Sequence, residues 1–254
     1  MNSSVQGAQS FARSIAVLQM IAESAQPLSR AELASRSDLT RPTLYRIIAS
    51  LEAEGLIRQS SQGGYSLGVR LVELARTALA QNDIRGVAGP ELERLRDMTG
   101  ETVHLAVPSN DAMVYIDKIE SRETVRMMST IGSRIPYHST SVGRAYLSAL
   151  PEADADALID RIETPAITEF TVTDLNRLKD IVRQARLAGV AREEQENERG
   201  IICFGAAIRD RTQAPIAAIS VSVPMFRLDE TRGYEAAISR AADEISKGLS
   251  FIDA

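Results

Sequence analysis

The chain has 254 residues, of which 44% are hydrophobic and 25% are charged, a composition typical of folded globular proteins. A single cysteine excludes a disulfide framework, and one cysteine with two histidines is too few for a cysteine-rich structural zinc site. No apolar run reaches the roughly 18 residues that span a bilayer, and the first residues lack the apolar core of a signal peptide. We therefore expect a cytoplasmic protein with no membrane association, and the length favours two domains, one of them small.

The net charge of −5 argues weakly against a protein that coats nucleic acid. Residues 1–83 nevertheless carry eight arginines, no lysine and seven acidic residues, a net charge of +1. Any contact with DNA must therefore come from the local placement of a few arginines.

The first 55 residues carry the pattern of three short helices. Apolar residues recur at helical spacing over about 11–24. A second helix begins at a capping box formed by Ser29 and Glu32. Thr40 can cap the third helix, whose apolar stripe leads to Gly55 as the residue that ends it.

The pattern then changes to strand, turn and strand over 56–59, 60–64 and 65–67. Three short helices followed by a glycine-tipped hairpin are typical of a winged helix-turn-helix domain. Residues 68–81 follow as an amphipathic connector helix. A further helix over 83–98 contains Pro90, which predicts a kink or a break there.

Strands and helices alternate in the rest of the chain, which predicts an α+β domain over residues 83–254. The predicted strands are 102–107, 113–116, 125–129, 201–208 and 216–223, and the predicted helices are 142–150, 152–161, 174–187 and 230–251.

Eight segments, spread over nearly the whole chain, carry a resemblance to one bacterial family. They are Arg13–Leu18, Ser29–Ala34, Thr43–Gly55, Tyr65–Gly68, Gly100–Ala106, Tyr115–Glu120, His138–Ala145 and Gly200–Ala207. In this order they resemble the IclR family of bacterial transcriptional regulators. Two places depart from the family's usual pattern: Arg144, where the family usually has lysine, and residues 192–196, where an Asp-rich run is more usual.

The resemblance implies a winged helix-turn-helix DNA-binding domain over 1–67, a linker helix over 68–82, and an effector-binding, oligomerising domain over 83–254. The last of these would contain a GAF-like or PAS-like sheet. It also implies homodimers, often paired into tetramers, that act on double-stranded operator DNA as allosteric regulators without catalysis. We expect the connector helix to form the dimer seam, and the residues available for burial there are Leu71, Val72, Leu74, Ala75 and Leu79. We therefore expect a repressor of a catabolic operon that responds to a small organic acid and needs no catalytic residue, metal or cofactor.

The third helix is the candidate recognition helix, because its apolar stripe leaves donors on the outer face that can bind base edges or phosphates. The hairpin can add a basic residue, hydroxyls and exposed backbone amides that bind phosphate or the minor groove. Arg13, at the start of the first helix, either adds a similar contact or forms a surface salt bridge. The predicted DNA-binding residues are Arg13, Arg41, Thr43, Tyr45, Arg46, Arg58, Ser60, Ser61, Gly63 and Gly64.

The resemblance places the effector between the loop into Ser141, the stretch 193–203 and the last strand. Ser220 and Ser222 are two residues apart, so they share one face of a strand and can donate to one carboxylate. Glu193 is unusual beside an anion: it either accepts a hydrogen bond from a ligand hydroxyl or lies outside the pocket. The predicted effector-binding residues are Met127, Ser141, Val142, Gly143, Glu193, Ile201, Cys203, Ser220 and Ser222.

Two other classes of function stay open at this point. Cys203 with a histidine base could make the chain a small-molecule enzyme, or Cys203 could act as a redox sensor. The apolar strand around this cysteine favours a buried, unreactive thiol instead. The winged helix could also bind a protein partner, although Arg41, Tyr45 and Arg46 favour DNA.

Overall fold

The computed structural model describes residues 9–61, 63–80 and 83–252. They divide into two compact units, the first ending at Gln81 and the second beginning at Asn82. Within the described ranges, no helix is long and apolar enough to cross a membrane.

The first unit is a winged helix-turn-helix followed by one more helix. Its elements are α1 (Gln9–Ala22), α2 (Arg30–Arg36), α3 (Arg41–Ala53), β1 (Ile57–Gln59), β2 (Tyr65–Leu67) and α4 (Arg70–Ala80). β1 and β2 pair antiparallel, and Leu28 adds a bridge to Tyr65 through two backbone hydrogen bonds of 3.0 and 2.8 Å. Apolar residues from all three winged-helix helices and both strands form one core beneath α3.

The predicted starts of α2 and α3 are both found, at Ser29 and Thr40, but only Ser29 caps its helix with its side chain. Ser29 and Glu32 form the capping box, with the backbone N–H of Ser29 donating to the Glu32 carboxylate over 2.8 Å. Thr40 is the residue before α3, but its hydroxyl makes no cap hydrogen bond to the helix backbone. That hydroxyl lies 3.0 Å from the hydroxyl of Thr43 instead, so the two side chains satisfy each other.

The second unit is a six-stranded antiparallel sheet with helices on both faces. Its elements are α5 (Asp83–Thr99), β3 (Thr102–Ser109), β4 (Ala112–Ile119), β5 (Arg134–Pro136), α6 (Ser141–Ala149), α7 (Glu152–Ile159), α8 (Leu175–Ala188), β6 (Ala191–Glu194), β7 (Ile201–Arg209), β8 (Pro215–Pro224) and α9 (Tyr234–Ile252). The strand order is β5-β4-β3-β8-β7-β6.

Two predictions for this unit are wrong, and a third is wrong in part. α5 continues through Pro90 without the break that was one of the two alternatives, because buried residues on both sides of the proline, from Ile84 to Leu95, hold it to the core. Residues 125–129 form no strand: the edge of β4 pairs with β5 instead, and Val125 and Met128 are exposed. The last helix begins at Tyr234 rather than near residue 230, after a short 3₁₀ turn that ends at Gly233 in the left-handed region.

The two faces of the sheet are covered by different helices. α5 and α9 pack on one face, where Phe204 of β7 stacks on Tyr234 at 5.3 Å. α6 packs on the other face, and its first residue lies directly over Gly205 of β7. A side chain at residue 205 would collide with the backbone carbonyl of Ser141, so glycine is what lets α6 begin so close to the sheet.

Candidate DNA interface and effector cavity

The outer face of α3 carries the residues predicted to bind DNA. Leu44, Ile47, Ile48 and Leu51 point into the core, as predicted, and Arg41, Tyr45 and Arg46 are exposed. Thr43 is half-buried at the edge of the same face. The helix therefore presents two guanidinium groups and a phenol on its accessible side.

α1 and α3 together form a surface groove of about 330 Å³. Arg13 and Ser14 of α1 line one side of this groove, and Thr43, Arg46 and Ser50 of α3 line the other. No ion pair joins Arg13 or Arg46 to an acidic residue within the described ranges, so the charges of these two arginines stay uncompensated there.

Arg30 at the start of α2 positions Tyr45, and sequence reasoning missed this role. The Arg30 guanidinium lies 5.7 Å from the ring centre of Tyr45 and 5.8 Å from that of Tyr65. Its Nε also donates to the hydroxyl of Tyr65 over 2.8 Å, which raises the pKa of Arg30. This side chain therefore links α2, α3 and β2 beside the candidate DNA-binding face.

The hairpin offers fewer groups to DNA than predicted. The backbone amide of Ser60 donates to the carbonyl of Gly64, and the amides of Gly63 and Gly64 donate back to the carbonyl and hydroxyl of Ser60. Gly64 is also buried against Pro27, where a side chain would collide. The expectation of free backbone amides at Gly63 and Gly64 is therefore wrong, and the exposed side chains of Arg58 and Ser61 remain available.

A small closed cavity lies in the second unit where β7, β8, the start of α6 and the loop after β6 meet. Its lining residues are Tyr115, Met127, Thr140, Ser141, Glu193, Asn197, Glu198, Ile201, Cys203 and Ser220. The volume open to the centre of a water molecule is about 10 Å³. A cavity of this size holds about one water molecule, so a larger ligand requires the walls to move apart.

Six of the nine predicted effector residues line this cavity, namely Met127, Ser141, Glu193, Ile201, Cys203 and Ser220. The other three lie beside it. Val142 is buried in the hydrophobic core, and the backbone N–H of Gly143 donates to the hydroxyl of Thr140. Ser222 shares a sheet face with Ser220, as predicted, but its hydroxyl accepts a hydrogen bond from the Cys203 thiol at 3.3 Å.

His104 lies behind the cavity and holds two of its walls. Its ring stacks on Tyr115 at 4.5 Å, its Nδ1 lies 3.4 Å from the hydroxyl of Ser220, and its Nε2 lies 2.8 Å from that of Ser129. Burial lowers the pKa of His104 to about 3, so the ring is neutral and contacts both hydroxyls as an uncharged hydrogen-bonding group. Its position opposite Ser220 follows from the pairing of β3 with β8, which periodicity alone does not give.

Comparison with known proteins identifies the family. The model of the C-terminal domain of the bacterial transcriptional regulator IclR matches residues 76–247, and the model of the IclR helix-turn-helix domain matches residues 10–61. The chain belongs to the IclR family.

Individual relatives agree with this assignment. The acetate operon repressor of Salmonella typhimurium is 30% identical over 94% of this chain and 89% of its own length. The HTH-type transcriptional repressor AllR of Escherichia coli is 33% identical over 89% of this chain and 84% of its own length. An IclR homologue from Microbacterium hydrocarbonoxydans, crystallised with 4-hydroxybenzoate, has the same fold, with a TM-score of 0.79 at 24% identity over 95% of this chain and 99% of that one.

The Salmonella and Escherichia coli relatives are repressors, and this IclR-family chain is a DNA-binding transcriptional regulator rather than an enzyme. The chemistry of Cys203 agrees with this conclusion. The thiol is buried, and burial raises its pKa well above the ordinary value, so the reactive thiolate is disfavoured. Within the described ranges, no group of three or more potential metal ligands forms a metal site.

The two departures from the usual IclR pattern are in direct contact. Arg144 of α6 donates through Nη1 and Nη2 to both carboxylate oxygens of Glu196, at 2.6 and 2.5 Å, and both side chains are buried. Its Nε donates to the carbonyl of His138 over 2.8 Å. A lysine ammonium cannot form this two-pronged contact, so arginine at 144 and glutamate at 196 are matched to each other.

Glu193 is a buried carboxyl at the wall of the cavity. Its Oε1 accepts from the backbone amides of Glu196 at 2.5 Å and Asn197 at 3.2 Å. Burial nevertheless dominates and raises the pKa of Glu193 to about 7. The second unit therefore carries a carboxyl that changes its protonation near neutral pH.

We expect this carboxyl to make stability depend on pH. In the folded chain Glu193 holds its proton up to about pH 7, whereas the ordinary pKa of 4.5 applies after unfolding. Its contribution is fully present below pH 4.5 and is lost as the pH rises through 7. Between about pH 5 and about pH 8, the wild-type chain should lose on the order of 1–3 kcal/mol of unfolding free energy relative to Glu193→Gln.

Urea unfolding at several pH values measures this difference. Glu235→Gln, which removes an exposed carboxyl at the start of α9, is the matched control and should parallel the wild-type curve. If the wild-type and Glu193→Gln curves run parallel, Glu193 is ionised throughout and the argument from burial is wrong.

Proposed function

We propose that this regulator is a repressor of a catabolic operon in the bacterial cytoplasm, released from its operator by a small organic acid. The observation that carries the DNA half of the proposal is the groove in which Arg13 and Arg46 lie on facing helices, both exposed. A helix with exposed arginines can place forked donors on guanine in the major groove, while the neighbouring helix binds phosphate.

Arg46 is the residue we assign to base recognition, because it is exposed at the middle of α3. Arg46→Ala should weaken specific operator binding by about 1–3 kcal/mol. The operator is first selected from random DNA with the wild-type chain, and affinities are then measured at several salt concentrations.

Arg177→Ala, which removes an equally exposed arginine in the second unit, is the control and should bind the operator like wild type. A phosphate-only role for Arg46 would weaken binding to all sequences alike and reduce the salt dependence. If Arg46→Ala binds the operator with wild-type affinity, α3 is not the recognition helix.

The effector half of the proposal rests on the donors that meet at the closed cavity. Ser220 and Ser141 bring two hydroxyl groups to its wall, and Met127 and Ile201 supply apolar surface. The hydroxyl of Thr140 also lies there, but it donates to the carbonyl of Pro136. Hydroxyl donors with an apolar wall suit a small carboxylic acid, and the homologue of the same fold contains 4-hydroxybenzoate. Because Glu193 also lies there, a hydroxylated acid, whose hydroxyl can donate to this carboxyl, fits better than a simple anion.

Ser220 is the residue we expect a bound carboxylate to contact. Ser220→Ala should weaken the effector by about 1–3 kcal/mol, because a buried acceptor loses its donor. A thermal-shift screen of small aliphatic and aromatic acids first finds the ligand, and calorimetry then compares the variants. Ser133→Ala, an exposed change outside the cavity, is the control, and equal affinities in all three proteins would show that the effector binds elsewhere.

We propose further that the chain acts as a homodimer, able to pair into tetramers, with 1–67 binding DNA, 68–82 linking and 83–254 binding the effector. The support is the apolar surface of the linker: Val69, Val72 and Leu74 are 71%, 67% and 52% exposed, and Leu71 is half-buried. Ala75 lies exposed on the same helix, and the side chain of Leu79, also predicted at this seam, is outside the described part. Exposed apolar groups on one helix favour burial against a second copy, and paired winged helices suit a near-palindromic site.

Light scattering of the purified chain should therefore give at least the mass of a dimer. Val72→Glu combined with Leu74→Glu should shift it toward monomer, because charged groups resist burial in an apolar interface. Arg76→Glu, an exposed change on the same helix, controls for charge alone. A wild-type monomer that still binds its operator tightly would rule out this interface.

A further inference from the structure

A second and larger cleft lies in the second unit, apart from the effector cavity. Its volume is about 500 Å³, and it shares no lining residue with that cavity. α6, α8, β7, α9 and the turn after β7 form its walls. Pockets that hold small molecules in proteins are about 300–1,000 Å³, so this cleft has room for a ligand without any movement of its walls.

The cleft exists because β7 is longer than its neighbour on that side. β6 pairs with β7 only as far as Gly205, while β7 continues to Arg209. α8 and α9 flank the gap beyond the end of β6, and the side chains that line it there are small. These small residues are Ala185, Gly189, Ala206, Ala207 and Ala242.

Arg186 of α8 lines this cleft with donors that have no acceptor. Its Nε and Nη2 are buried and make no hydrogen bond within the described ranges. Arg183, one turn earlier on the same helix, contacts three carboxylates instead, those of Glu152, Asp156 and Asp180. Buried polar groups are nearly always hydrogen-bonded, so an unsatisfied guanidinium in a cleft indicates a place for an anion or an ordered water.

The charges around the cleft also favour an anion. Arg186, Arg209 and Lys247 line it together with two carboxylates, Asp210 and Asp243. Lys247 pairs with Glu244 at 2.8 Å, and one oxygen of Asp210 accepts three hydrogen bonds from its own turn.

Arg209 donates only to uncharged partners in this region, the backbone carbonyls of Ala149 and Gln213. The other carboxylate of the lining, Asp243, makes no ion pair or side-chain hydrogen bond within the described part of the chain. An incoming oxyanion would balance the remaining positive charge and supply the acceptors that Arg186 lacks.

We propose that this cleft is a second ligand site, for a small molecule that carries a carboxylate or phosphate group, with Arg186 binding the oxyanion. Its guanidinium presents two donors in one plane, which match two oxygens of such a group. The exposed Lys247 supplies a second positive charge, and the small residues leave space for the rest of the molecule.

The experiment uses inorganic phosphate and citrate as probes with the full chain. The melting temperature is followed against probe concentration, with potassium chloride holding the ionic strength constant. Both probes should raise the melting temperature of the wild-type chain with saturation. Arg186→Gln should weaken the fitted affinity about tenfold or more, because a charge-assisted hydrogen bond is lost.

Two variants are controls. Arg177→Gln removes an exposed arginine from the same helix, outside the cleft, and should respond like wild type. Ser220→Ala alters the effector cavity and should also respond like wild type, which separates this site from that one. Equal responses to the probes in wild type, Arg186→Gln and Arg177→Gln would overturn the proposal, and so would the absence of a saturating response in wild type.

Lys247→Gln and Arg186→Lys test the proposal even if Arg186→Gln does not fold. Lys247 is exposed, so its loss spares the fold and should weaken both probes several-fold. Arg186→Lys keeps the positive charge but loses the two coplanar donors of the guanidinium, so it should bind both probes more weakly than wild type. Wild-type affinity in both variants would show that the bound anion lies elsewhere.

Discussion

The buried ion pair between Arg144 and Glu196 is the contact on which the cavity of the second unit depends. It ties the middle of α6 to the loop after β6, and Glu196 also accepts from the backbone amide of Val172. The cavity lies between these two elements, with Ser141 from one and Asn197 and Glu198 from the other. Removing water from two charges is costly, and losing one partner of such a pair typically costs about 3–5 kcal/mol. The pair therefore holds these two walls of the cavity together.

The polar groups at the cavity already form hydrogen bonds to other groups of the protein. Cys203 donates to Ser222, Ser220 lies against His104, and Glu193 accepts two backbone amides. A ligand gains only the difference between its own hydrogen bonds and those it replaces. Any ligand of this cavity must therefore place donors and acceptors at matching positions, and a fit in size alone is not enough.

Periodicity and turn chemistry predicted most of the fold. The capping box at Ser29, the buried stripe of α3 and the alternation that places Ser220 and Ser222 on one face all depend on neighbours in sequence, and all are found. β6 was missed because Ala191–Glu194 is four residues long and rich in charge. The predicted break at Pro90 is absent because the residues around a proline do not reveal the tertiary contacts that hold α5 together.

The candidate sites were less accessible to the same reasoning. Family resemblance suggested the effector residues, and six of them meet at one cavity. The partnership of Arg144 with Glu196 joins residues 52 positions apart, and that of His104 with Ser220 joins residues 116 apart. Such pairs require the strand order and the packing of α6. At the hairpin, the prediction of exposed backbone amides overlooked the hydrogen bonds of the turn itself. Amides that are buried or that form a turn donate within that turn, as those of Gly63 and Gly64 do.

The antiparallel order of the second unit has a consequence for synthesis of the chain. β3, its first strand, pairs with β8, its last, and α5 packs against α9 across the same interval of sequence. On the ribosome the winged helix-turn-helix has all its core residues available early, because they come from residues 17–65. The second unit cannot close its sheet until β8 emerges, and pairing over such a distance is intrinsically slow. The DNA-binding domain can thus complete its core while the second unit still lacks its last strand.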